Sequence, residues 1–233
     1  MKDDSTCREC VTPTYSEIGK PKGTSVIAQI LALANRPEVI SFAGGLPSPE
    51  GFPVKAIQEA ADLTLENDAL TALQYSGVAG MASLRNAIAT YETRAGVPTT
   101  ADEVMIVSGS QQALDLVARA FIDPGAKIMV ERPTYLGALF AFQLCNPTFI
   151  DMESDSEGLD PSRIGEEARG ARFAYVMPTF QNPSGLTINE ERRKALAEKA
   201  REYDFWILED NPYGELYYGE QPPVSLRAYA PER

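Results

Sequence analysis

Residues 205–218 read FWILEDNPYGELYY. Four apolar residues, Phe205-Trp206-Ile207-Leu208, lead into two carboxylates, Glu209 and Asp210, and Asn211-Pro212 then breaks any regular structure. A short run of aromatic and branched residues that ends at a turn signal reads as a buried strand. A carboxylate at the exit of such a strand is either a solvated loop acid or one half of a charge pair. Tyr213 adds a phenol three residues further on. The rest of the chain has to decide between the two readings.

The same pattern of strand and bend recurs upstream. Residues 104–107, 128–130, 148–150 and 173–177 read as strands. Helices are expected over 111–121, 135–144 and 161–168, and from a capping box at 187–190 to about 203. Five apolar runs alternating with helices predict an α/β fold, a largely parallel wound sheet with helices on both faces. Before that region, helices are expected over 25–34, 53–67 and 81–95, and residues 39–42 are short and extended. Residues 1–23 read as a polar arm and residues 24–233 as one domain.

Composition narrows the chemistry. The 233 residues are 44% hydrophobic and 23% charged, an ordinary globular balance. A net charge of −12 argues against nucleic acid and anionic lipid as partners. No apolar run approaches the length of a membrane span, and the N-terminus lacks the apolar core of a secretion signal, so a cytoplasmic protein is expected. The chain has no histidine, which excludes Ser-His-Asp and Cys-His nucleophiles and His-ligated metals within it. Its three cysteines, Cys7, Cys10 and Cys145, do not suggest a disulfide framework. The pair Cys7-x-x-Cys10 lacks a second pair, so no metal site is expected.

In a wound sheet, ligands bind beyond the carboxyl ends of the strands. Four bent polar segments belong there. In Ser108-Gly109-Ser110-Gln111 a glycine turn precedes a helix, so free N–H groups, the helix dipole and two hydroxyls converge as a phosphate cradle, or Ser110 is a plain N-cap. Tyr135, after Arg132-Pro133-Thr134, is either a flat wall for a planar ring or a half-buried tyrosine at a helix start. Asn182 in Asn182-Pro183-Ser184-Gly185 is an amide aimed into the rim or part of a turn. Asp210 would hold the proton on a ring nitrogen by charge pairing, and Tyr213 could reach a ring oxygen. Each feature is weak alone. Together they fit a phosphorylated pyridine ring bearing a hydroxyl, namely pyridoxal phosphate.

With those segments in view, the chain resembles the large domain of fold-type I pyridoxal-phosphate enzymes. More narrowly, it resembles class I/II aminotransferases of the 2-aminoadipate and kynurenine type. The resemblance rests on the four rim segments, on Ile40 to Pro47 (ISFAGGLP), and on Leu73-Gln74-Tyr75-Ser76-Gly77 with Gly80 and Leu84-Arg85. It implies pyridoxal 5′-phosphate as cofactor, with its phosphate on Ser108, Gly109, Ser110 and Gln111 and its ring stacked on Tyr135. Asn182 and Tyr213 would bond the ring hydroxyl oxygen, and Asp210 would pair with the ring nitrogen. Gly44, Gly45 and Asn182 would lie against the substrate. Tyr75 would reach into a neighbouring subunit's site, which implies a homodimer. The implied reaction exchanges an amino group between an amino acid and a 2-oxo acid.

Relatives of this type continue into a Ser-x-Ser-Lys segment, whose lysine holds the cofactor, and into a small C-terminal domain. This chain ends at Arg233, before either. None of its seven lysines, Lys2, Lys20, Lys22, Lys55, Lys127, Lys194 and Lys199, follows a Ser-x-Ser approach at a strand exit. No residue is therefore assigned as catalytic, and the chain alone is expected to be inactive. The alternatives are a non-catalytic or fragmentary protein of this fold, or another fold-type I reaction such as a lyase or decarboxylase.

Overall fold

A computed structural model describes residues 14–16, 33, 36, 38–42 and 45–233. The expected arm, apart from 14–16, and the expected helix over 25–34, apart from Leu33, lie outside the described residues. The chain divides into two units, Met1–Tyr75 and Ser76–Arg233. The first holds helix α1 (Val54–Ala72), which extends beyond the expected 53–67 and breaks helical geometry at Asp68 (φ −144°).

The second unit is the wound sheet. In chain order it runs α2 (Ala82–Arg94), α3 (Ser110–Phe121), β1 (Lys127–Arg132), α4 (Leu136–Phe142), β2 (Thr148–Asp155), β3 (Gly158–Leu159), β4 (Ala171–Val176), α5 (Glu190–Tyr203) and β5 (Trp206–Glu209). The strand order is β3-β2-β1-β4-β5. β1 pairs in parallel with both β2 and β4, and β4 with β5, while the two-residue β3 returns antiparallel to β2.

Alternation along the strands explains the layers. Ile128, Val130, Phe173, Tyr175 and Met177 face one cluster with Leu114 and Ala118 of α3 and Ala138, Ala141 and Phe142 of α4. Met129, Ala174 and Val176 face the other cluster, with Leu196, Ala200 and Tyr203 of α5. A strand buried on both faces has to be apolar at nearly every position, and β4, ARFAYV, is. The α/β class, the parallel pairing and the helices on both faces are as the sequence led one to expect.

Some expectations need correction. Val104 is extended, but residues 104–107 join no ladder among the described residues. The segment is held instead by the Ile106 N–H donating to the Ala79 carbonyl at 3.0 Å. Its apolar, branched composition suits a strand, but a strand also needs a paired neighbour. The helix expected over 161–168 is two 3₁₀ turns, Pro161–Arg163 and Glu166–Ala168. The cap of α5 is Asn189, whose side chain accepts from Arg192 N–H at 2.9 Å. Thr187 is not that cap, because its hydroxyl accepts from Phe180 N–H at 3.0 Å.

Candidate active site

The chain leaves β1 for β2 on one side and reaches β4 on the other, so the strand order reverses between β1 and β4. Loops that follow such neighbouring strands diverge and leave a crevice at their carboxyl ends. Three of the four segments singled out above follow β1, β4 and β5 directly.

The fourth is the start of α3. Gly109 caps that helix with φ 79° and ψ 164°, a conformation that glycine reaches without strain. Ser110 is the first helical residue rather than the cap. The turn is braced by Ser108 N–H, which donates to Oε1 of Gln112 at 2.5 Å. The first N–H groups of any helix lack intrahelical acceptors, and the dipole places positive charge beside them. Residues 108–111 are all exposed, and nothing lies within 4 Å of the Cβ that Gly109 lacks. The turn therefore has the donors, the field and the room that a phosphate group needs. The Gln111 side chain is engaged elsewhere, because Nε2 donates to the Gly137 carbonyl at 3.1 Å. The Gln111 backbone N–H, in the first turn of α3, lacks an intrahelical acceptor.

That bond joins the cradle to the Tyr135 turn. Tyr135 is the half-buried N-terminal flank of α4, and it packs with Leu208 and Tyr213 against the α3–α4 side of the sheet. Its ring lies over Gly137, where a Cβ would sit 2.4 Å from Cζ and 2.5 Å from the hydroxyl oxygen. Gly137 is a requirement of that ring position, and the sequence reading missed it.

The loop after β4 is organised by Gln181, also missed. Its Nε2 donates to the Pro133 carbonyl at 2.8 Å, its Oε1 accepts from Ser184 N–H at 2.8 Å, and its backbone N–H donates to the Leu186 carbonyl. The β1 and β4 exits are tied together in this way, with Asn182 half-buried between Gln181 and a cis peptide to Pro183. Glu131, the residue before Arg132 in β1, is 4% exposed and accepts from Met177 N–H at 2.8 Å. Burial pushes its carboxyl up to about 7 despite that bond and one from Gln181.

At the exit of β5 the two adjacent acids separate. Glu209 turns inward. Its Oε2 accepts from Ser225 Oγ at 2.5 Å and from Leu226 N–H at 3.0 Å, and its Oε1 lies 3.9 Å from Nη1 of Arg193. Arg193 is fully buried and donates to the carbonyls of Ile188, Pro178 and Val224 and to Thr179 Oγ1. Burial pushes Glu209 up and Arg193 down, each towards its neutral form. The sequence reading gave Glu209 no role beyond that of a neighbouring acid, whereas it is part of a buried ion pair beneath the rim. Asp210 takes the other direction and stays half-buried. Its N–H donates to the Val176 carbonyl at 2.9 Å, and its Oδ2 accepts from the Tyr175 hydroxyl at 2.7 Å. Burial and that bond hold the Tyr175 phenol well above its ordinary value, so it remains a donor.

The structure therefore brings Ser108, Gly109, Ser110, Gln111, Tyr135, Asn182, Asp210 and Tyr213 to the carboxyl-end rim of one sheet. Gly45 and Tyr75 belong to the first unit, where Tyr75 is 98% exposed, and Gly44 lies outside the described residues. The lysines of the second unit are engaged away from that rim. Lys127 begins β1 at the opposite end of the strands, its Nζ 3.4 Å from the Arg169 carbonyl, and Lys194 and Lys199 pair with Glu190 and Glu202 on α5. Among the described residues no group of His, Cys, Asp or Glu could hold a metal ion, and Cys7 and Cys10 lie outside them.

Fold and rim together define a wound α/β protein with a glycine-turned helix start and a carboxylate at the carboxyl ends of its strands. The family model for aminotransferase class I and II matches residues 37–232, and the chain belongs to that family. It is 45% identical over 226 residues to aromatic-amino-acid aminotransferase 1 of Thermococcus litoralis, covering 94% of this chain and 54% of the relative. It is 40% identical to a 2-aminoadipate transaminase of Thermus thermophilus, covering 94% and 55%. The structure of a Pyrococcus horikoshii kynurenine aminotransferase in complex with PMP superposes with a TM-score of 0.85 at 39% identity, over 94% of this chain and 56% of that one. The chain spans about half the length of the curated relatives it matches.

Proposed function

We propose that this chain carries the pyridoxal-phosphate site of an aminotransferase that exchanges an amino group between an amino acid and a 2-oxo acid. The observation that carries the reading is Asp210, tethered by Tyr175 at the exit of β5 on the same rim as the N-terminus of α3. A carboxylate and a helix N-terminus at the carboxyl ends of one sheet suit a ligand with a cationic ring at one end and a phosphate at the other.

In this reading Ser108, Gly109, Ser110 and the Gln111 N–H hold the phosphate. Tyr135 covers one face of the ring and excludes water from it. Asn182 and Tyr213 donate towards the ring oxygen, and Asp210 keeps the proton on the ring nitrogen. Gly44 and Gly45 approach the substrate, and Tyr75 serves a second copy in a homodimer. The bound cofactor would supply an electron sink for the carbanion of the amino acid, a sink strengthened by a proton on its ring nitrogen. A cytoplasmic location is part of the same proposal, consistent with the lack, among the described residues, of any helix long and apolar enough to cross a membrane.

Because none of the seven lysines follows a Ser-x-Ser approach at a strand exit, and Lys127, Lys194 and Lys199 are engaged away from the rim, binding to this chain is expected to be non-covalent. Pyridoxamine 5′-phosphate is therefore the appropriate probe, since it needs no lysine. Equilibrium dialysis is expected to show one saturable site, weakened at least about tenfold by Asp210→Asn, the size of a lost charge-assisted hydrogen bond. Equal binding by both proteins would remove Asp210 from the site. Borohydride reduction with pyridoxal phosphate, followed by mass spectrometry, is expected to leave no stoichiometric adduct on those three lysines.

A further inference from the structure

We infer that Tyr175 is a positioning residue for Asp210, holding Oδ2 so that Oδ1 is left for the ring nitrogen of the cofactor. The inference rests on the cofactor reading of Asp210 and goes beyond it, because Tyr175 lies inside a strand and belongs to none of the rim segments.

The geometry is restrictive. Tyr175 is 0% exposed and sits in β4 opposite Leu208 of β5. Its ring packs edge-on against Phe142, with centroids 5.5 Å apart and planes at 76°, and Phe142 packs in the same manner on Phe173. A ring held on its edge by a buried aromatic pair has little freedom to swing. Its hydroxyl is therefore presented at one point, and Asp210 Oδ2 occupies that point at 2.7 Å. The Asp210 backbone is tied to the same strand by its N–H bond to Val176 O at 2.9 Å. Two bonds from β4 thus set both the main chain and the carboxylate rotation of a residue that otherwise begins a loop.

The chemistry of the donor suits the task. A carboxylate that meets a cationic ring has to keep its charge and lose little rotational freedom on binding. An arginine or lysine partner would neutralise it and compete with the ring nitrogen. A phenol fixes one oxygen, leaves the negative charge in place and, being buried, does not itself ionise. A core tyrosine that merely satisfies its hydroxyl would show the same bond, so the test has to separate placement from packing.

A double-mutant cycle on the 233-residue chain does so, with pyridoxamine 5′-phosphate and inorganic phosphate as separate probes. Tyr175→Phe is expected to weaken pyridoxamine phosphate about fivefold, the worth of one hydrogen bond, and to leave phosphate binding unchanged. In the Asp210→Asn background the same substitution is expected to change neither affinity. An equal loss in both backgrounds, no loss in the unsubstituted background, or a loss of phosphate binding as well would each make Tyr175 a core residue only and overturn the inference. A chain that binds neither probe, or phosphate alone, overturns the cofactor reading and this inference with it. If Asp210→Asn weakens pyridoxamine phosphate while Tyr175→Phe does not, only the inference falls.

Discussion

At the scale of single residues, the proposed site depends on positions that the proposal does not place against the cofactor. Gly137 carries no side chain, yet it decides where the Tyr135 ring can lie. Alanine there would place Cβ within 2.5 Å of that ring. Gly137→Ala is expected to displace the ring and cost about 1–3 kcal/mol of stability, as overpacking does. Urea unfolding measures the cost, and weaker pyridoxamine phosphate binding reports the displaced wall. Glu131 gives a second handle. Its folded value of about 7 lies above the ordinary carboxyl value of 4.5. The sign follows from linkage: the stability present below the unfolded value is lost as pH rises through the folded one. Stability should therefore fall between about pH 4 and pH 7, and Glu131→Gln, which keeps an acceptor for Met177 N–H, is expected to flatten that fall. Chemical denaturation across the pH range, run on both proteins, checks it. An unchanged slope would remove Glu131 as its source.

At the scale of elements, strand exits and helix starts are held together by a few buried polar side chains. Arg193, on α5, reaches four acceptors on three separate segments and faces Glu209 at the end of β5. Removing one partner of a buried pair leaves an uncompensated charge. Arg193→Met is expected to destabilise the fold by about 3–5 kcal/mol, and Arg193→Met with Glu209→Gln by less than Arg193→Met alone. Thermal or urea unfolding of the two variants decides, and a double variant no more stable than the single one would contradict the pairing. Much at this scale was legible beforehand. The parallel strands at 128–130, 148–150, 173–177 and 205–208, and the helices expected over 135–144 and up to about 203, follow from apolar periodicity and turn residues, which act over a few neighbours. The segment over 104–107 was misread because composition reports suitability for a sheet, while membership depends on a partner distant in sequence. Asn189 displaced Thr187 as the cap of α5 for a related reason, since Phe180 N–H claims the threonine hydroxyl from seven residues away.

At the scale of the whole molecule, the second unit has a sheet covered by helices on both faces, and among the described residues β5 is one of its edge strands. β5 pairs with β4 on one side. On the other its Ile207 N–H meets the Arg233 carbonyl at 2.9 Å, and Trp206 stays 59% exposed. A cavity of about 230 Å³ beside it is lined by Val117, Phe121, Phe173, Trp206, Ile207 and Leu208, with Arg172 as its one charged residue. Apolar surface next to unpaired strand edges promotes association between copies. Light scattering of the purified chain is expected to rise with concentration, and Trp206→Lys, which charges that edge, is expected to reduce it. A concentration-independent monomer would show that the edge is already satisfied.

The rim residues could be named from sequence because each one follows a strand or begins a helix, and turn chemistry marks such places locally. Ser108 to Gln111, Tyr135, Asn182, Asp210 and Tyr213 are all of this kind. Their partners could not be named. Tyr175 meets Asp210 across 35 residues, Gln181 meets Pro133 across 48, and Gln111 meets Gly137 across 26. Nothing in a strand's apolar pattern distinguishes a tyrosine whose hydroxyl ends at a carboxylate from one that only fills the core. The quoted stretch 205–218 determined that a carboxylate leaves a buried strand. Only the packed sheet decided that Glu209 turns inward to a buried arginine while Asp210 is held at the rim, because the choice between two adjacent acids is made by groups that the fold brings alongside them.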